Sequence, residues 1–332
     1  MRNTCIAILV LALPWGPSLL AAAALPPEGF IIGADISWVQ QQEQEGRRFK
    51  DGGFEKDVLE ILKDHGFNWM RLRIFHNPRA PKGYSKDGYC DLEHTLKMAE
   101  RIKAAQLQLL LDFHYSDNWA DPGKQYKPQA WKHLPFEELT AAVHDYTSEV
   151  LAAFRNRGLS PEMVQIGNEI SNGFLWPDGR LSDWDKFTTL VEAGIAGAKQ
   201  ADPNVAIMLH IASGGQNERS RYFLENVLER GVQFDVIGQS YYPKWHGTLD
   251  DLHSNLSDLA LRYKQPIIVV EYSQHKLEVN RIVRNLPNRK GFGTFIWEPT
   301  RWGEPLFDRS GNALPNIELY LEIDKKSSGR AD

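Results

Sequence analysis

Cysteine is almost missing from this chain: 332 residues contain two, Cys5 and Cys90. Cys5 lies in an N-terminal segment expected to be removed, which leaves Cys90 alone and excludes an internal disulfide; stability must come from packing. Basic clusters are missing as well. Lys and Arg number 38 against 43 Asp and Glu, a formal net charge of −5, and they gather nowhere into a patch. That argues against nucleic acid or an anionic membrane surface as the main partner. Beyond the N-terminus no apolar run approaches the roughly 20 residues that a membrane span needs. Linker-like Ser/Gly/Pro tracts and repeated blocks are absent too, so one domain is expected, and a monomer, since no oligomer-forming surface is legible.

The N-terminus is a different kind of sequence. Arg2 supplies a positive start, Ile6 to Leu13 a compact apolar run, and Ala21 to Ala24 a small-residue cleavage zone. Residues 1–24 are therefore expected to be a secretory signal peptide, with 25–332 the exported domain, secreted or periplasmic. Pro14 and Pro17 argue against a buried helix here. Cys5 lacks a lipobox-like context, which argues against a lipid anchor.

What is abundant is apolar material, 42% of residues, enough for a large core. Past the leader, short apolar runs alternate with longer amphipathic ones. Strands are expected at 30–34, 69–75, 107–113, 163–167, 205–210, 234–240, 266–270 and 292–297, each of the kind buried on both faces of a parallel sheet. Helices are expected at 55–65, 92–105, 136–156, 184–200, 218–230, 250–263 and 277–286, with Gly66 and Gly231 as stops. Eight strands alternating with helices specify an α/β fold, a single-domain (β/α)8 TIM barrel.

In such a barrel, function sits at the C-terminal ends of the strands. The unusual residues cluster there: Arg71-Leu72-Arg73, Asp112-Phe113-His114, Asn168-Glu169, His210, Ser240-Tyr241-Tyr242, Glu271 and Trp297-Glu298. Ionisable groups closing apolar strands are costly to bury without partners or a task. A single one would be a capped strand end; a ring of them points to a site. Glu169 and Glu271, after strands four and seven, face each other across the mouth and suit cleavage of an acetal: one carboxyl gives the leaving oxygen a proton while the other, ionised, stabilises or attacks the developing cation. Asn168 can hydrogen-bond a sugar 2-hydroxyl, and Arg71 and Tyr242 can hold Glu271 ionised and oriented.

Longer stretches carry a resemblance. They are Gly33-Ala34-Asp35-Ile36-Ser37, the run from Leu111 to Gln125 (LDFHYSDNWADPGKQ), Val164 to Ile170 (VQIGNEI), Phe234 to Gly238 with Ser240-Tyr241-Tyr242-Pro243 and Trp245-His246-Gly247, Val269-Val270-Glu271, and Trp297-Glu298-Pro299. From about residue 30 to 320 the chain resembles clan A glycoside hydrolases, specifically glycoside hydrolase family 53, the endo-β-1,4-galactanases. The resemblance implies a secreted, endo-acting, retaining enzyme that cuts β-1,4-galactan or arabinogalactan side chains of pectin. It implies Glu169 as acid/base and Glu271 as nucleophile, with carboxyls about 5–5.5 Å apart rather than roughly 6.5–9.5 Å. No cofactor is implied. Some bacterial relatives bind calcium in loops after strand seven, but no dense Asp/Asn run lies between Glu271 and Phe292, and no structural calcium is expected. That segment is also short, and Tyr272-Ser273-Gln274 departs from the family's Thr-containing continuation.

Aromatic faces stack on pyranose C–H faces, and Trp297, ending strand eight, is expected as a sugar platform. Trp119 and Asp35, inside the matching segments, join it as substrate-binding or supporting residues. Trp176 and Trp245 divide evenly between that role and packing; Trp69 and Trp184 read as packing residues. His114 has no companions at metal-ligand spacing, so it reads as a substrate hydrogen bond or a support for the carboxylates, not a metal site; His210 reads the same way. Asp112 and Asp117 are expected to orient loops. Two alternatives stay open: another clan A β-glycanase acting on mannan or glucan, and a non-catalytic carbohydrate-binding barrel.

Overall fold

The computed structural model describes residues 29–328; the expected signal peptide, 1–24, lies outside the described residues. Eight strands form a closed barrel: β1 Ile31–Asp35, β2 Trp69–Ile74, β3 Gln108–Phe113, β4 Met163–Ile166, β5 Ala206–Ile211, β6 Val236–Tyr241, β7 Ile267–Tyr272 and β8 Gly291–Trp297. Every strand pairs in parallel with its neighbours in sequence, and β8 closes on β1. The crossovers carry helices: α1 Val58–Asp64, α2 Leu92–Ala104, α3 Phe136–Asn156, α4 Trp184–Ala201, α5 Asn217–Glu229, α6 Leu249–Arg262 and α7 Lys276–Arg284, with α8 Leu319–Ser328 after β8. This is the expected (β/α)8 barrel. Among the described residues no helix is long and apolar enough to cross a membrane.

Strand alternation separates two apolar layers. Ile32, Ala34, Met70, Leu72, Leu109 and Leu111 point outward and pack under the helices. Ile31, Trp69, Leu110, Met163, Met208, Val236, Ile268 and Phe295 point inward and fill the barrel. Phe295 takes the room that a side chain at position 33 would need, since a Cβ on Gly33 would come within 2.2 Å of its ring. The inward-pointing positions above this layer are polar: Asp35, Arg71, Asp112, Gln165, His210 and Ser240 are all buried. The apolar layer is thus the floor on which the site stands.

The first expected helix starts too early. Phe54–Glu55 pairs with Lys50–Asp51 in a small antiparallel ribbon, and α1 begins at Val58, where the Asp57 carboxylate accepts from the Leu59 N–H at 2.8 Å. That N-cap, not the start of the apolar periodicity, sets the boundary. Strands β6 and β7 run further than expected, to Tyr241 and Tyr272. Their apolar runs end where the inward side chains turn polar, whereas the backbone ladder continues.

Candidate active site

The centre of the site is a buried guanidinium. Arg71 Nη1 lies 3.0 Å from Asp35 and 2.8 Å from Glu271, while Nη2 lies 2.7 Å from Asp112 and 2.9 Å from the Asn168 amide oxygen. One planar fork therefore ties β1, β3, the turn after β4 and β7 together, a geometry lysine cannot reproduce. Around it opens a cleft of about 790 Å³ that also borders Glu169, Tyr242, His114, Trp119 and Trp297. All the residues that the sequence singled out as catalytic or supporting are brought together here.

The two glutamates reach this cleft differently. Glu169 follows Gly167, whose φ of 82° and a Cβ clash at 2.5 Å with Ile170 admit only glycine. Glu169 itself sits at φ 49°, a left-handed conformation uncommon for non-glycine residues. Its Oε1 accepts from the Ser240 hydroxyl at 2.6 Å. Burial, reinforced by the Glu271 charge, pushes its carboxyl pKa up to about 8, against a smaller downward pull from Ser240. Glu271 sits in β7. Its Oε1 faces Arg71, and its Oε2 accepts from the Tyr242 hydroxyl at 3.0 Å. Burial raises this carboxyl too, but Arg71 and Tyr242 oppose it. When the pair holds one proton, that proton belongs on Glu169, which lacks a cationic contact of the Arg71 kind.

The neighbours hold these groups in place. Asn168 donates to the Ala120 carbonyl at 2.8 Å and, through its oxygen, accepts from Arg71 and Gln165. His114 uses both ring nitrogens on the protein: Nε2 is 3.1 Å from Asp112, and Nδ1 accepts from the Ala120 N–H at 3.1 Å. Of its two expected roles, support is the one these contacts serve. His210 is buried behind Asn168 and Ser240. Asp112 holds Arg71, His114 and Gln165, which makes it part of the site and not only a loop anchor. Asp117 does orient loops, accepting from the Asn77 and Gln129 N–H groups.

Aromatic rings wall the cleft. Trp38 lies between Trp119 and Trp297, with centroids 5.9 and 5.5 Å away, and Trp302 sits 5.2 Å from Trp297. Trp245, 58% exposed, lines the cleft as well. Trp176 does not; it packs on Tyr126 and under Arg180. Trp69 belongs to the barrel filling and Trp184 to a ring cluster with Phe187 and Phe223.

Among the residues given no role from the sequence alone are two charged ones. Arg73, 1% exposed, stacks against Trp119 with 4.2 Å between its guanidinium carbon and the ring centroid, and pairs with Glu298 at 2.5 Å and Asp35 at 3.4 Å. Glu298 is fully buried, and burial holds its carboxyl well above the usual range despite Arg73. The Arg71-x-Arg73 spacing was the available signal, because residues two apart on a strand face the same side.

Sequence comparison gives this geometry a family. The model of the family described as Glycosyl hydrolase family 53 matches residues 31–278. The chain belongs to glycosyl hydrolase family 53. Within it, an arabinogalactan endo-β-1,4-galactanase A from Aspergillus niger is 36% identical, covering 80% of this chain and 74% of that protein. An arabinogalactan endo-β-1,4-galactanase from Cellvibrio japonicus is 30% identical, covering 91% and 93%. Among solved structures, the family 53 catalytic domain of Ignisphaera aggregans superposes with a TM-score of 0.83 at 33% identity, covering 92% of this chain and 99% of that one. As a family 53 member, the chain is a glycosidase built on a barrel whose paired glutamates stand at the rim.

Proposed function

We propose that this family 53 enzyme hydrolyses β-1,4-galactosidic bonds inside galactan and arabinogalactan chains with retention of anomeric configuration. The unequal surroundings of the two carboxyls carry the chemistry. Glu271, held ionised by Arg71 and Tyr242, attacks the anomeric carbon as Glu169 passes its proton to the leaving oxygen. The product is a glycosyl ester on Glu271 and a free sugar hydroxyl. Glu169, now a carboxylate, takes a proton from water as that water displaces Glu271, which restores both groups. No cofactor enters this cycle. The substrate follows from the names of the relatives, and the tryptophan-walled cleft offers flat faces for pyranose rings. We place the enzyme outside the cytoplasm, as a monomer acting on the galactan side chains of pectin.

The test is reducing-sugar release and product profile on β-1,4-galactan, with mannan and β-glucan alongside. A ladder of short galacto-oligosaccharides, abolished by Glu271→Gln, is expected, with the initial product in the β-anomeric form by NMR. Turnover of mannan or glucan in place of galactan would move the substrate and leave the chemistry. Binding without turnover on any of them would make the protein a lectin.

A further inference from the structure

We propose that Ser240 and His210 act as a positioning pair that aims the carboxyl of Glu169 at the leaving-group oxygen, with the Ser240 hydroxyl donating to Glu169 and the His210 ring fixing that direction. The inference rests on the acid/base reading of Glu169 given above.

The hydroxyl stands between two partners, 2.6 Å from Glu169 Oε1 and 2.7 Å from His210 Nε2, and both Ser240 and His210 are fully buried. A hydroxyl has one hydrogen, so it can donate to one of them only. The surroundings of the other ring nitrogen decide which. His210 Nδ1 faces the Gln165 amide N–H at 2.9 Å, the Glu169 backbone N–H at 3.4 Å and the Asn168 amide oxygen at 3.1 Å. That oxygen already accepts from the Arg71 guanidinium at 2.9 Å, so the two N–H donors are better served by a bare Nδ1. The Gln165 amide is oriented in turn by Asp112, which accepts from its nitrogen at 2.7 Å. With Nδ1 bare, the ring hydrogen sits on Nε2 and points at the Ser240 oxygen; the serine hydrogen is left for Glu169. Burial, with the Arg71 charge nearby, holds His210 well below its ordinary pKa and keeps the ring neutral, as this arrangement requires.

Strand register explains the reach. Ser240 is the β6 partner of Glu271 across the β6–β7 ladder, so its hydroxyl starts beside one glutamate and binds the other. The side-chain hydrogen bond on Glu169 falls on Oε1, which leaves Oε2 as the oxygen that presents the proton. Glu169 is also faced by Glu271 from β7, Arg71 from β2, Asp121 from the loop after β3, and Tyr242 from the turn after β6. Against these charges Ser240 is the neutral donor that favours the carboxylate, so its loss must move Glu169 toward the protonated form.

The experiment compares wild type, Ser240→Ala, Ser240→Thr, His210→Asn and Glu169→Ala on two substrates. One is galactan, whose leaving group needs an acid. The other is 2,4-dinitrophenyl β-galactobioside, whose leaving group does not. Ser240→Ala is expected to lower kcat/KM on galactan about tenfold while changing the dinitrophenyl substrate less than about twofold. The alkaline limb of its pH profile moves to higher pH, Ser240→Thr recovers both readouts, and His210→Asn moves the limb the same way by less. Equal losses on the two substrates with an unmoved limb would overturn the proposal and leave Ser240 a packing residue; the melting temperature of each variant separates that from misfolding, and His210→Asn gives the second reading if Ser240→Ala does not fold. Glu169→Ala is the control on the foundation. If it does not lose kcat/KM on galactan far more than kcat/KM on the dinitrophenyl substrate, whose first step needs no acid, the acid/base reading itself fails, whatever Ser240→Ala does.

Discussion

Arg71 and Glu271 meet at 2.8 Å inside the barrel, 200 residues apart in sequence, and the same guanidinium nitrogen also holds Asp35 at 3.0 Å. The contact favours the ionised form of Glu271 against the burial that raises its carboxyl, and it fixes the direction in which the carboxylate faces the cleft. Because Asp112 and Asn168 share the other nitrogen, a change at Arg71 disturbs both glutamates, one directly and one through the Asn168-Glu169 turn.

Arg71→Lys tests that geometry with the charge kept. A lysine offers one nitrogen where four acceptors are now served, so kcat on galactan is expected to fall at least about a hundredfold, with KM changing far less. A loss below about fivefold would mean that charge alone, without the bidentate geometry, suffices.

The paired carboxyls predict a bell-shaped pH profile. The proposed mechanism needs Glu271 ionised and Glu169 protonated, so the alkaline limb of kcat/KM should lie near pH 8, where Glu169 loses its proton. Tyr242 stays protonated throughout, because burial and the two carboxylates hold it well above the ordinary tyrosine value. Tyr242→Phe removes the hydroxyl that favours the Glu271 carboxylate. The acid limb should therefore move to higher pH, and kcat at the optimum should fall about tenfold. An acid limb that stays put in this variant would detach it from Glu271.

Much of this site was legible because the barrel makes strand ends predictable. The apolar runs that end at Asn168-Glu169 and Glu271 were visible in the sequence, and ionisable groups closing such runs mark a rim. Ser240 was less legible: its place at a strand end was visible, but its partner is set only when the fold brings it to Glu169, 71 positions away. Arg73 and Glu298 stood in the expected rim but without a role, for a related reason. Their meaning lies in a pair that forms across 225 positions, and only the two-residue spacing from Arg71 hinted that Arg73 points inward. Glu55 was placed in a helix because periodicity extends past the physical start that Asp57 imposes by capping.

The aromatic wall predicts two kinds of binding defect. Trp297 contacts Trp38, Trp119 and Trp302 at the centre of the cleft, so Trp297→Ala should lower kcat/KM about tenfold or more on short and long galacto-oligosaccharides alike. Trp245 stands exposed on the far flank, beyond Tyr242. Trp245→Ala should raise KM for long chains a few fold, with a smaller effect on the shortest substrates cut. Identical length dependence in the two variants would place both rings at the same sugar.

The buried carboxyl proposed as the acid should weaken the fold. Glu169 has a higher pKa folded than unfolded, so the folded state binds the extra proton: its contribution to stability is complete below the unfolded value of about 4.3 and is lost as pH rises toward about 8. Near neutrality the wild type has already given up most of it, because the unfolded carboxyl is ionised there while the folded one still holds its proton. Glu169→Gln keeps the shape, stays neutral at every pH, and should melt about 2–4 °C higher than wild type at pH 7.5 while losing galactan turnover. The difference should shrink as pH falls toward 4.5, where the wild-type carboxyl is protonated as well. A Gln variant that melts lower, by the same margin at both pH values, would instead mean that the charged form of Glu169 is well accommodated and that its elevated pKa is wrong.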